Sequence, residues 1–535
     1  MLRIINLKTV LPETTPVIEL AAKKLRCQLD DIQKIQVVRR AIDARKKPII
    51  YGVYTLHVKV KHESDIWHRC LRDKNVSKWY PQVPGKINKG TKRLVHRPII
   101  IGAGPAGLLA AFYLAKEGYR PLVLERGEDV DTRTADVEAF WRFGQFKPNS
   151  NVQFGEGGAG TFSDGKLTTR INDPRLMEIS RHLVDAGAPE EILYKYKPHV
   201  GTDILRNVVK NIRQKVIALG GEVRFNSQVT DIRQKDGKVT AVVVNDDKVI
   251  RADAVLLGIG HSARDTYEML YKNEIAIEHK PFAIGLRIEH AQGMIDQSQY
   301  GCDSAALALE PADYAVVYHG DNGRTAYSFC MCPGGQVIAG TSEAGGVVTN
   351  GMSLHARASG TANSAMVVNV TAEDTGGGPL DGIAFQRKYE RLAYQFGGGN
   401  YGAPAQYLGD FLEHKSSERQ DQDLFSYRPG IMLTDLHQVL PEFVTATLEQ
   451  AIPYFGSRIK GFDDPQACLT GVETRTSAPV RLTRGTDRMS ANTSGLYPIG
   501  EGAGYAGGIM SAALDGVESA IQLMMIYKPD AVEGK

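Results

Sequence analysis

The alternation of apolar and polar residues over the first 62 positions predicts a small α+β module. The pattern gives a strand, an amphipathic helix and two further strands, namely LRIINLKTV, TPVIELAAKKLRC, KIQVVRRAIDAR and IIYGVYTLHVKV. The last of these alternates with a period of two and is rich in β-branched and aromatic residues, as a half-buried strand is. A turn-rich, basic stretch, KWYPQVPGKINKGTKRLVHRP, comes later. We therefore expect a first domain at residues 1–80 and a linker at 81–97.

From Arg97 onward the pattern predicts a strand, a glycine-rich turn, a helix and a second strand. A helix at 203–219 follows, and then short strands at EVRFNSQV, KVTAVVVN and DAVLLGI. Four more short strands predict an antiparallel sheet between 283 and 341, namely AIGLRIEH, DYAVVYH, TAYSFCMC and QVIAGT. Helices are predicted at 382–396 and 436–449, and near the end the strand LYPIG precedes the helix IMSAALDGVESAIQLMMI. Strands that alternate with helices indicate an α/β fold.

The composition indicates a globular protein of several domains. A chain of 535 residues is too long for one core, and its 42% hydrophobic and 23% charged residues are ordinary values. No uninterrupted apolar run reaches the length of about 18 residues that a membrane span needs, and the start lacks a signal-peptide pattern. The cysteines are sparse and irregular, which fits a reducing compartment and predicts a cytoplasmic location. They are Cys27, Cys70, Cys302, Cys330, Cys332 and Cys468.

The net charge of +3 conceals an uneven distribution. Residues 1–97 carry a net charge of +14, and the remainder carries −11. Such a basic segment could bind RNA, an acidic partner or an acidic electron-carrier protein. It could equally be a solvated lysine-rich face that lies against the acidic body. We favour the second interpretation because no RNA-binding signature or aromatic platform accompanies the charge.

The glycine turn that follows the strand PIII has the spacing of a dinucleotide-binding turn. In Gly102-x-Gly104-x-x-Gly107, the first glycine permits the tight turn, the second lets the backbone approach a pyrophosphate, and the third allows close helix–strand packing. The N-terminus of the following helix offers free N–H groups to the phosphates. Glu125 ends the next strand and can accept hydrogen bonds from ribose hydroxyls. The turn alone does not distinguish FAD from NAD.

Two further motifs favour FAD. GLYPIGEGAGYAGGIMSAALDG, at 495–516, has Glu501 at a strand end and a glycine-rich helix start, and it resembles the second fingerprint of the glutathione-reductase-like FAD superfamily. DAVLLGIGHSARDT resembles the strand-plus-ATG motif of that superfamily, although it has Gly258-Ile259-Gly260 in place of that triplet and so lacks the usual threonine. The resemblance implies that Glu501 bonds a ribityl hydroxyl and that the helix after Gly508 faces the flavin pyrimidine ring.

A closer resemblance covers essentially the whole chain. Five stretches carry it, namely SNVQFGEGGAGTFSDGKLTTR, YKPHVGTDILR, SFCMCPGGQVIAGTSEAGGVVTNGMS, GGGNYGAPAQ and GVETRTSAPVR. They resemble the uncharacterised bacterial FAD-dependent dehydrogenases that carry a basic N-terminal module. The resemblance implies a Rossmann-like FAD-binding domain, at 98–282 and 494–528, interrupted by an α+β substrate or cap domain at 283–493. It implies no particular substrate.

Twenty residues are predicted to hold FAD. The run from Phe154 to Thr161 has little side-chain bulk and could lie against the isoalloxazine, with Ser163 or Lys166 nearby. Val229 would make the backbone contact to adenine that the resemblance implies. The predicted set is Gly102, Gly104, Pro105, Ala106, Gly107, Glu125, Arg126, Gly157, Gly158, Ala159, Gly160, Thr161, Lys166, Val229, Gly260, Gly500, Glu501, Gly507, Gly508 and Ile509.

Three residues are candidates for catalysis: Cys330, Cys332 and Arg475. The two cysteines could be a redox dithiol, but alternate residues of a regular strand form strained bridges, and strand cysteines often serve as small hydrophobes. Arg475 could bind an anionic substrate or the flavin N1–O2 edge, or form an ordinary ion pair. His261 is expected to cap or pack locally rather than act as a base. No metal site is predicted, because no second cysteine pair or clustered histidines accompany the cysteines.

The leading functional prediction is an FAD-dependent oxidoreductase that transfers a hydride between a small molecule and flavin N5. The chain has no second strand-placed glycine turn, since GGGNYG follows a predicted helix. NAD(P)H would therefore bind transiently, or a protein would donate the electrons. The alternatives are an FAD-dependent RNA-modifying enzyme that uses the basic module, which we do not favour, and a non-catalytic flavin redox sensor. No membrane partner is expected.

Overall fold

In the computed structural model, which describes residues 1–82, 84–418 and 424–529, the N-terminal module is a four-stranded antiparallel sheet. Its strands are, in spatial order, Ile32–Lys46, Ile49–Val60, Leu2–Val10 and Val76–Lys78. The helices Val17–Leu25 and Glu63–Cys70 share its core with apolar strand residues. The three predicted strands and the first helix are confirmed. The sequence reading missed the second helix, which buries only two side chains, Ile66 and Cys70, and is otherwise polar.

The second sheet has five parallel strands, and it joins distant parts of the chain. In spatial order the strands are Leu496–Pro498, Val255–Leu257, Ile99–Ile101, Leu122–Leu124 and Glu222–Arg224. The helices Pro105–Lys116 and Ile509–Ile526 pack together, and Thr202–Ala218 packs on the first of them. This is the predicted α/β arrangement, in which a helix follows the strand and its glycine turn.

The helix Ile509–Ile526 is long and apolar enough to cross a membrane, but 67% of its residues are buried inside the fold. At Gly516 a Cβ would lie 2.1 Å from the carbonyl oxygen of Ala106, so the two helices meet backbone to backbone. Its apolar surface is therefore explained by packing against the helix Pro105–Lys116.

The third large sheet has seven strands and lies next to the parallel sheet. In spatial order they are Val317–His319, Thr325–Cys332, Thr361–Val370, Phe282–Ala291, Cys468–Glu473, Ala403–Tyr407 and Ile431–Leu433. All neighbours are antiparallel except the last pair. The interior strand Thr361–Val370 was not predicted, because nearly all of TANSAMVVNV is buried and the run therefore shows no alternation.

The helices Asp381–Phe396 and Glu442–Arg458 belong to the same region. The prediction of a helix at 436–449 was wrong at its start. Leu436–Gln438 is a separate 3-10 turn, and Pro441 stands at the N-cap of the true helix, as proline does near a first turn. The stretch GGGNYG does follow a helix, as predicted.

The remaining elements connect or flank these sheets. The strands Val229–Lys235, Lys238–Val244 and Lys248–Arg251 form a meander. Three short ladders pair Ile277–His279 with Val480–Leu482, Gln336–Ala339 with Thr349–Met352, and Lys92–Arg93 with Tyr527–Lys528. The other helices are Val130–Phe143, Arg175–Val184, Arg264–Lys272, Gln292–Tyr300, Ala372–Thr375 and Leu408–Leu412.

The basic module is attached to the body by specific contacts. The backbone of Arg40 donates to the carbonyl oxygen of Tyr194 at 2.7 Å and accepts from Tyr196 at 2.9 Å. The guanidinium of Arg39 lies 3.9 Å from the centre of the Tyr196 ring. One strand of the module therefore pairs with the body along its edge.

Candidate active site: a glycine-lined cleft

A cleft of about 380 Å³ lies at the carboxyl ends of four of the five parallel strands. Gly102, Glu125, Gly258 and Gly500 follow those strands directly or one residue later, and all four line it. The far wall comes from the seven-stranded sheet and its loops. Open α/β sheets bind ligands at this edge, and the volume is that of small-molecule sites.

Most of the predicted residues line this one cleft. They are Gly102, Gly104, Pro105, Ala106, Glu125, Arg126, Gly158, Ala159, Gly160, Lys166, Val229, Gly260, Cys330, Arg475, Gly500, Glu501, Gly507, Gly508 and Ile509. Four predicted residues do not line it, namely Gly107, Gly157, Thr161 and Cys332. The fold thus gathers segments that are up to four hundred positions apart in the sequence.

The glycines of the first turn have three different surroundings. Gly102 has a φ of +95°, and a Cβ there would lie 2.3 Å from the carbonyl oxygen of Gly258. At Gly107 a Cβ would lie 2.0 Å from the carbonyl oxygen of Gly102, so this glycine sets the packing of helix on strand without touching the cleft. Gly104 is open, with only the Cα of Gly158 near at 3.9 Å. Only Gly104 therefore leaves room for a group to approach the backbone.

Glu125 organises the cleft wall, in addition to its predicted contact with ribose. Its carboxylate is 5% exposed and accepts backbone N–H bonds from Ala103 at 2.7 Å and from Gly127 and Gly155, each at 3.0 Å. These bonds join the glycine turn to the loop around Gly155. A carboxylate has about four acceptor positions, so capacity for a hydroxyl donor remains.

The sequence reading missed Arg133, which shapes the glycine-rich loop from behind. The side chain is fully buried and donates to five carbonyl oxygens, those of Asn151, Val152, Gly155, Glu156 and Gly158. Burial lowers the pKa of Arg133 to about 10, and the charges of Glu125 and Glu156 oppose this change. A Cβ at Gly155 would lie 2.4 Å from the Arg133 side chain. Its helical position gave no signal, because an arginine on a polar helix face is normally exposed.

Thr161 and Gly157 support the same loop from beneath the cleft surface. Thr161 is 1% exposed, and a Cβ at Gly157 would lie 2.0 Å from its Oγ1. Arg126, by contrast, lines the cleft and lies over the Phe154 ring at 4.1 Å. Asp265 holds it there with two bonds of 2.9 and 2.8 Å. Phe154 therefore supports Arg126, a role that was not predicted.

Two helices begin on the cleft without a side-chain cap. Pro105–Lys116 begins after Gly104, and Ile509–Ile526 begins after Gly508. Each N-terminus presents N–H groups and a partial positive charge. A Cβ at Gly260, Gly507 or Gly508 would meet no atom within 4 Å, so the backbone is open to a ligand there. Groups of this kind suit a long molecule with a pyrophosphate and a flat ring system, which is what FAD is.

The far end of the cleft carries ionisable side chains. Burial raises the pKa of Glu473 to about 7, although the neighbouring Arg287 opposes it with a bond of 2.9 Å. Burial likewise raises the pKa of Glu501 to about 7, and there the charge of Lys280 opposes it. Lys166 and Cys330 line the same end. Two carboxyl groups that titrate near neutral pH can hold or release a proton at Oε.

Arg475 is tied into a buried ionic cluster at the cleft wall. Its guanidinium donates to Glu390 at 3.0 and 3.1 Å and to the Ser342 hydroxyl. Arg264 donates to both oxygens of the same carboxylate at 2.7 Å. Burial opposes ionisation, but the charges of Arg264 and Arg475 hold the pKa of Glu390 well below its usual range. The ion-pair interpretation of Arg475 thus describes its contacts, and an anion in the cleft would meet only its remaining N–H groups.

His261, which the sequence predicts to cap or pack locally, and His199, which precedes the helix Thr202–Ala218, lie differently. His261 lines the cleft, and its Nδ1 is 2.8 Å from the Ser262 hydroxyl. Burial lowers the pKa of His261 to about 3, so the ring is neutral. His199 does not line the cleft, and its Nε2 lies 3.0 Å from the carbonyl oxygen of His355. Neither contact singles out a catalytic base.

Among the described residues, one group of three side chains has metal-ligand character, and it lies outside the cleft. His414, His437 and Glu449 present atoms within 4.8 Å of one another. Asp435 Oδ1 lies 2.8 Å from Nδ1 of His437, whose Nε2 is 2.6 Å from Glu449. These contacts already use the polar atoms of His437.

Four family models match the chain. The model described as FAD-dependent protein, C-terminal domain-like, matches residues 281–476, and an NAD(P)-binding Rossmann-like domain matches 100–151. Flavin containing amine oxidoreductase matches 180–300, and a domain of unknown function matches 1–59. The matches to the nucleotide-binding and FAD-dependent models include residues on both sides of the cleft.

Two curated relatives are similar over different lengths. An uncharacterized protein of Clostridium beijerinckii is 49% identical over 522 residues, which is 97% of this chain and 98% of that protein. A digeranylgeranylglycerophospholipid reductase of Haloferax volcanii is 28% identical over 228 residues, which is 41% of this chain and 50% of that protein.

Solved structures share less with the chain. The glycerol-3-phosphate dehydrogenase of Bacillus halodurans complexed with FAD is 13% identical, with a TM-score of 0.34 over 82% of this chain and 66% of that one. A geranylgeranyl bacteriochlorophyll reductase-like protein of Thermoplasma acidophilum is 13% identical, with a TM-score of 0.35 over 81% of this chain and 79% of that one. The family assignment rests on the sequence matches: the chain belongs to the FAD-dependent oxidoreductases, with a Rossmann-like nucleotide-binding domain, and FAD is its cofactor.

Proposed function

We propose that one FAD lies along the cleft and that the enzyme transfers a hydride between a small molecule and flavin N5. The observation that carries this proposal is that two uncapped helix N-termini, after Gly104 and Gly508, open on one continuous cleft. The first would hold the pyrophosphate, and the second would face the flavin ring. Bound FAD supplies the hydride chemistry, and the chain supplies binding, orientation and protons.

The nucleotide end would be held mainly by backbone groups. Gly104 leaves space for the pyrophosphate, Glu125 retains acceptor capacity for ribose, and Val229 begins a strand at the cleft edge. The glycine-rich loop Gly158–Gly160 would lie beside the ring with little side-chain bulk. The substrate would then bind in the part of the cleft nearest the helix that begins after Gly508.

The reacting end would be served by ionisable side chains. Glu473 and Glu501 line the cleft and carry pKa values near 7. Either can hold a proton at Oε while a substrate is oriented against the far wall. The wall at this end is built from the seven-stranded sheet and its loops.

The proposed partners are a small-molecule substrate and a transient electron donor, either NAD(P)H or a protein. We also propose a cytoplasmic location. The basic module contacts the body through Arg39 and Arg40, and several of its charges are paired internally, as in Lys8 with Asp43 and Lys24 with Asp73. These contacts support the interpretation that the basic module lies against the body, and they favour it over the interpretation that the module binds RNA.

The test is to purify the protein, release and identify the chromophore, and titrate it anaerobically with NADH and with NADPH. We expect non-covalent FAD at one per chain, bleached by a donor. A colourless protein that takes up no flavin on reconstitution would overturn the proposal. Flavin that no nicotinamide or reduced ferredoxin-like donor bleaches would instead support a redox sensor, and salt-sensitive tRNA binding would support the RNA-modifying alternative.

A further inference from the structure

The strand Thr325–Cys332 is irregular at its last residues, where two cysteines lie. Its pairing with Thr361–Val370 runs residue by residue to Phe329 and resumes only at Cys332. Cys330 has a φ of +45°, a left-handed conformation that a residue with a Cβ rarely adopts. A bulge re-aims side chains. The geometry of a regular strand, which spoke against a redox pair, therefore does not apply here.

The two thiols differ in exposure. Cys330 lines the cleft, whereas Cys332 is fully buried and does not. The Cys332 thiol donates to the carbonyl oxygen of Cys330, with Sγ at 3.3 Å. A Cβ at Gly351 would lie 2.9 Å from that Sγ, so a glycine is needed to accommodate the buried thiol. An accessible thiol with a second thiol directly behind it is the arrangement of an attacking and a resolving cysteine.

The charges around the pair favour a thiolate on the accessible sulfur. The neighbouring Cys332 side chain holds the pKa of the Cys330 thiol below its ordinary value, and the charges of Lys166 and Arg287 add to this. The same proximity of the two side chains, together with burial, raises the pKa of Cys332. Arg287 is fully buried and donates to the Cys330 carbonyl oxygen at 3.1 Å. One sulfur is thus prepared as a nucleophile, and the other keeps its proton.

The pair also lies at the end of the cleft that the flavin ring would occupy. Cys330 and Glu501 both line it, and a negative Cys330 contributes to the raised pKa of Glu501, after burial. None of the other four cysteines lines the cleft, and burial raises the pKa of Cys27 and Cys70. Only this pair therefore combines access to the cleft with a second thiol and a positive environment.

We propose that Cys330 and Cys332 form a redox couple that exchanges one electron pair with FAD in the cleft. In the oxidising direction, a sulfur–sulfur bond forms between the two Sγ atoms and the S–H bond of Cys332 breaks. The electron pair and that proton pass to the oxidised flavin, so a thiolate and a thiol become a disulfide while FAD becomes its singly protonated, two-electron-reduced anion. The reverse step restores the dithiol. This inference rests on the proposed FAD site.

The test counts electrons in the purified, oxidised holoenzyme. Anaerobic titration with dithionite should consume two electron pairs per flavin in the native protein, one for FAD and one for the disulfide. In Cys330→Ser and in Cys332→Ser it should consume one pair. The matched control is Cys302→Ser, which removes a thiol outside the cleft and should still consume two pairs.

A second measurement does not depend on the variants folding or on activity. The native protein is alkylated before and after reduction, and the labelled peptides are identified by mass spectrometry. We expect the peptide with Cys330 and Cys332 to gain two labels only after reduction. A protein that holds FAD, consumes one electron pair and labels both cysteines equally before and after reduction would overturn this inference and leave the proposed function intact. A protein without FAD would instead overturn the proposed function.

Discussion

The two ends of the cleft use different kinds of group. At the nucleotide end much of the wall is backbone, and at Gly102 a short distance to the carbonyl oxygen of Gly258 excludes a side chain. At the opposite end the wall carries Lys166, Cys330, Glu473 and Glu501, all of them ionisable. The first end would recognise a cofactor shape shared by many enzymes. The second end contains the groups that can distinguish one substrate or reaction from another.

The ends also differ in how they are held. Glu125 and Arg133 fix the nucleotide end through eight bonds to the backbone of nearby loops. The reacting end depends on side-chain clusters that join distant segments, such as Arg264 and Arg475 on Glu390. Bonds to backbone atoms do not depend on the identity of the side chains in those loops. In a buried ionic cluster, by contrast, the loss of one member leaves an unpaired buried charge and destabilises the fold.

The largest expected effect is therefore at Glu390. In Glu390→Gln two buried guanidinium groups lose their shared negative partner, and we expect the free energy of unfolding to fall by about 3–5 kcal/mol. Urea denaturation measures it. Glu413→Gln, which breaks an exposed pair with Lys415, is the control and should change little. An equal free energy of unfolding for the two variants would show that the buried cluster does not stabilise the reacting end of the cleft.

The next prediction compares two glycines of the first turn, which we expect to differ in their effect on stability. Gly107→Ala should lower the unfolding free energy by about 1–3 kcal/mol and also release FAD, because the added methyl group collides with backbone. Gly104→Ala should leave stability nearly unchanged and still lower FAD content. Thermal melting and the flavin-to-protein ratio measure both. Gly293→Ala, at an open position outside the cleft, is the control. Full FAD retention by Gly104→Ala would contradict a backbone-lined cofactor site.

An effect of similar size is expected at Glu125. Glu125→Gln replaces one acceptor oxygen with an amide donor that faces backbone N–H groups, so we expect a loss of about 1–3 kcal/mol and weaker FAD retention. Equilibrium dialysis against FAD measures the second effect. The control is Glu117→Gln, whose carboxylate pairs with Lys89 away from the cleft. Undiminished FAD content in Glu125→Gln would refute the ribose contact.

The smallest effect concerns the charge at the reacting end. Lys166→Met removes a positive charge that lowers the pKa of Cys330, so that pKa should rise and the thiolate should form at higher pH. The rate of Cys330 alkylation, measured across pH in the dithiol form, should then drop by a factor of about 3 to 10 below neutral pH and recover at alkaline pH. Lys210→Met, whose charge pairs with Asp131 on the surface, is the control. An unshifted pH profile would show that the charge of Lys166 does not lower the pKa of Cys330.

The nucleotide end could be predicted well from sequence because its signals are local. Glycine spacing, a strand before it and a helix after it are all readable within thirty residues. The helix Ile509–Ile526 was likewise predicted with its observed bounds. The reacting end could not be derived in this way. Asn350 lines it, Arg287 bonds Glu473 from a strand, and Glu390 bonds Arg475 from a helix. The strand Thr361–Val370 shows no alternation because nearly all of it is buried.

The irregular end of the strand Thr325–Cys332 illustrates the same limit. A regular alternation would place the two cysteines on one face, and the sequence shows no reason to expect otherwise. The bulge is formed by pairing with a strand that begins thirty residues later, and the positive φ of Cys330 follows from that tertiary context. The motif could therefore be located from the sequence, but the geometry that decides its chemistry could not.

The strand Leu496–Pro498 lies at the edge of a sheet that begins at Ile99, and this has a consequence during synthesis. A ribosome produces the early glycine turn long before the segment that completes its site. The nascent chain must therefore keep an unfinished half-domain while the whole intervening region emerges and folds. FAD would therefore bind late in the synthesis of the chain, and a chain that stops before the helix Ile509–Ile526 would lack both part of the core and one side of the cleft.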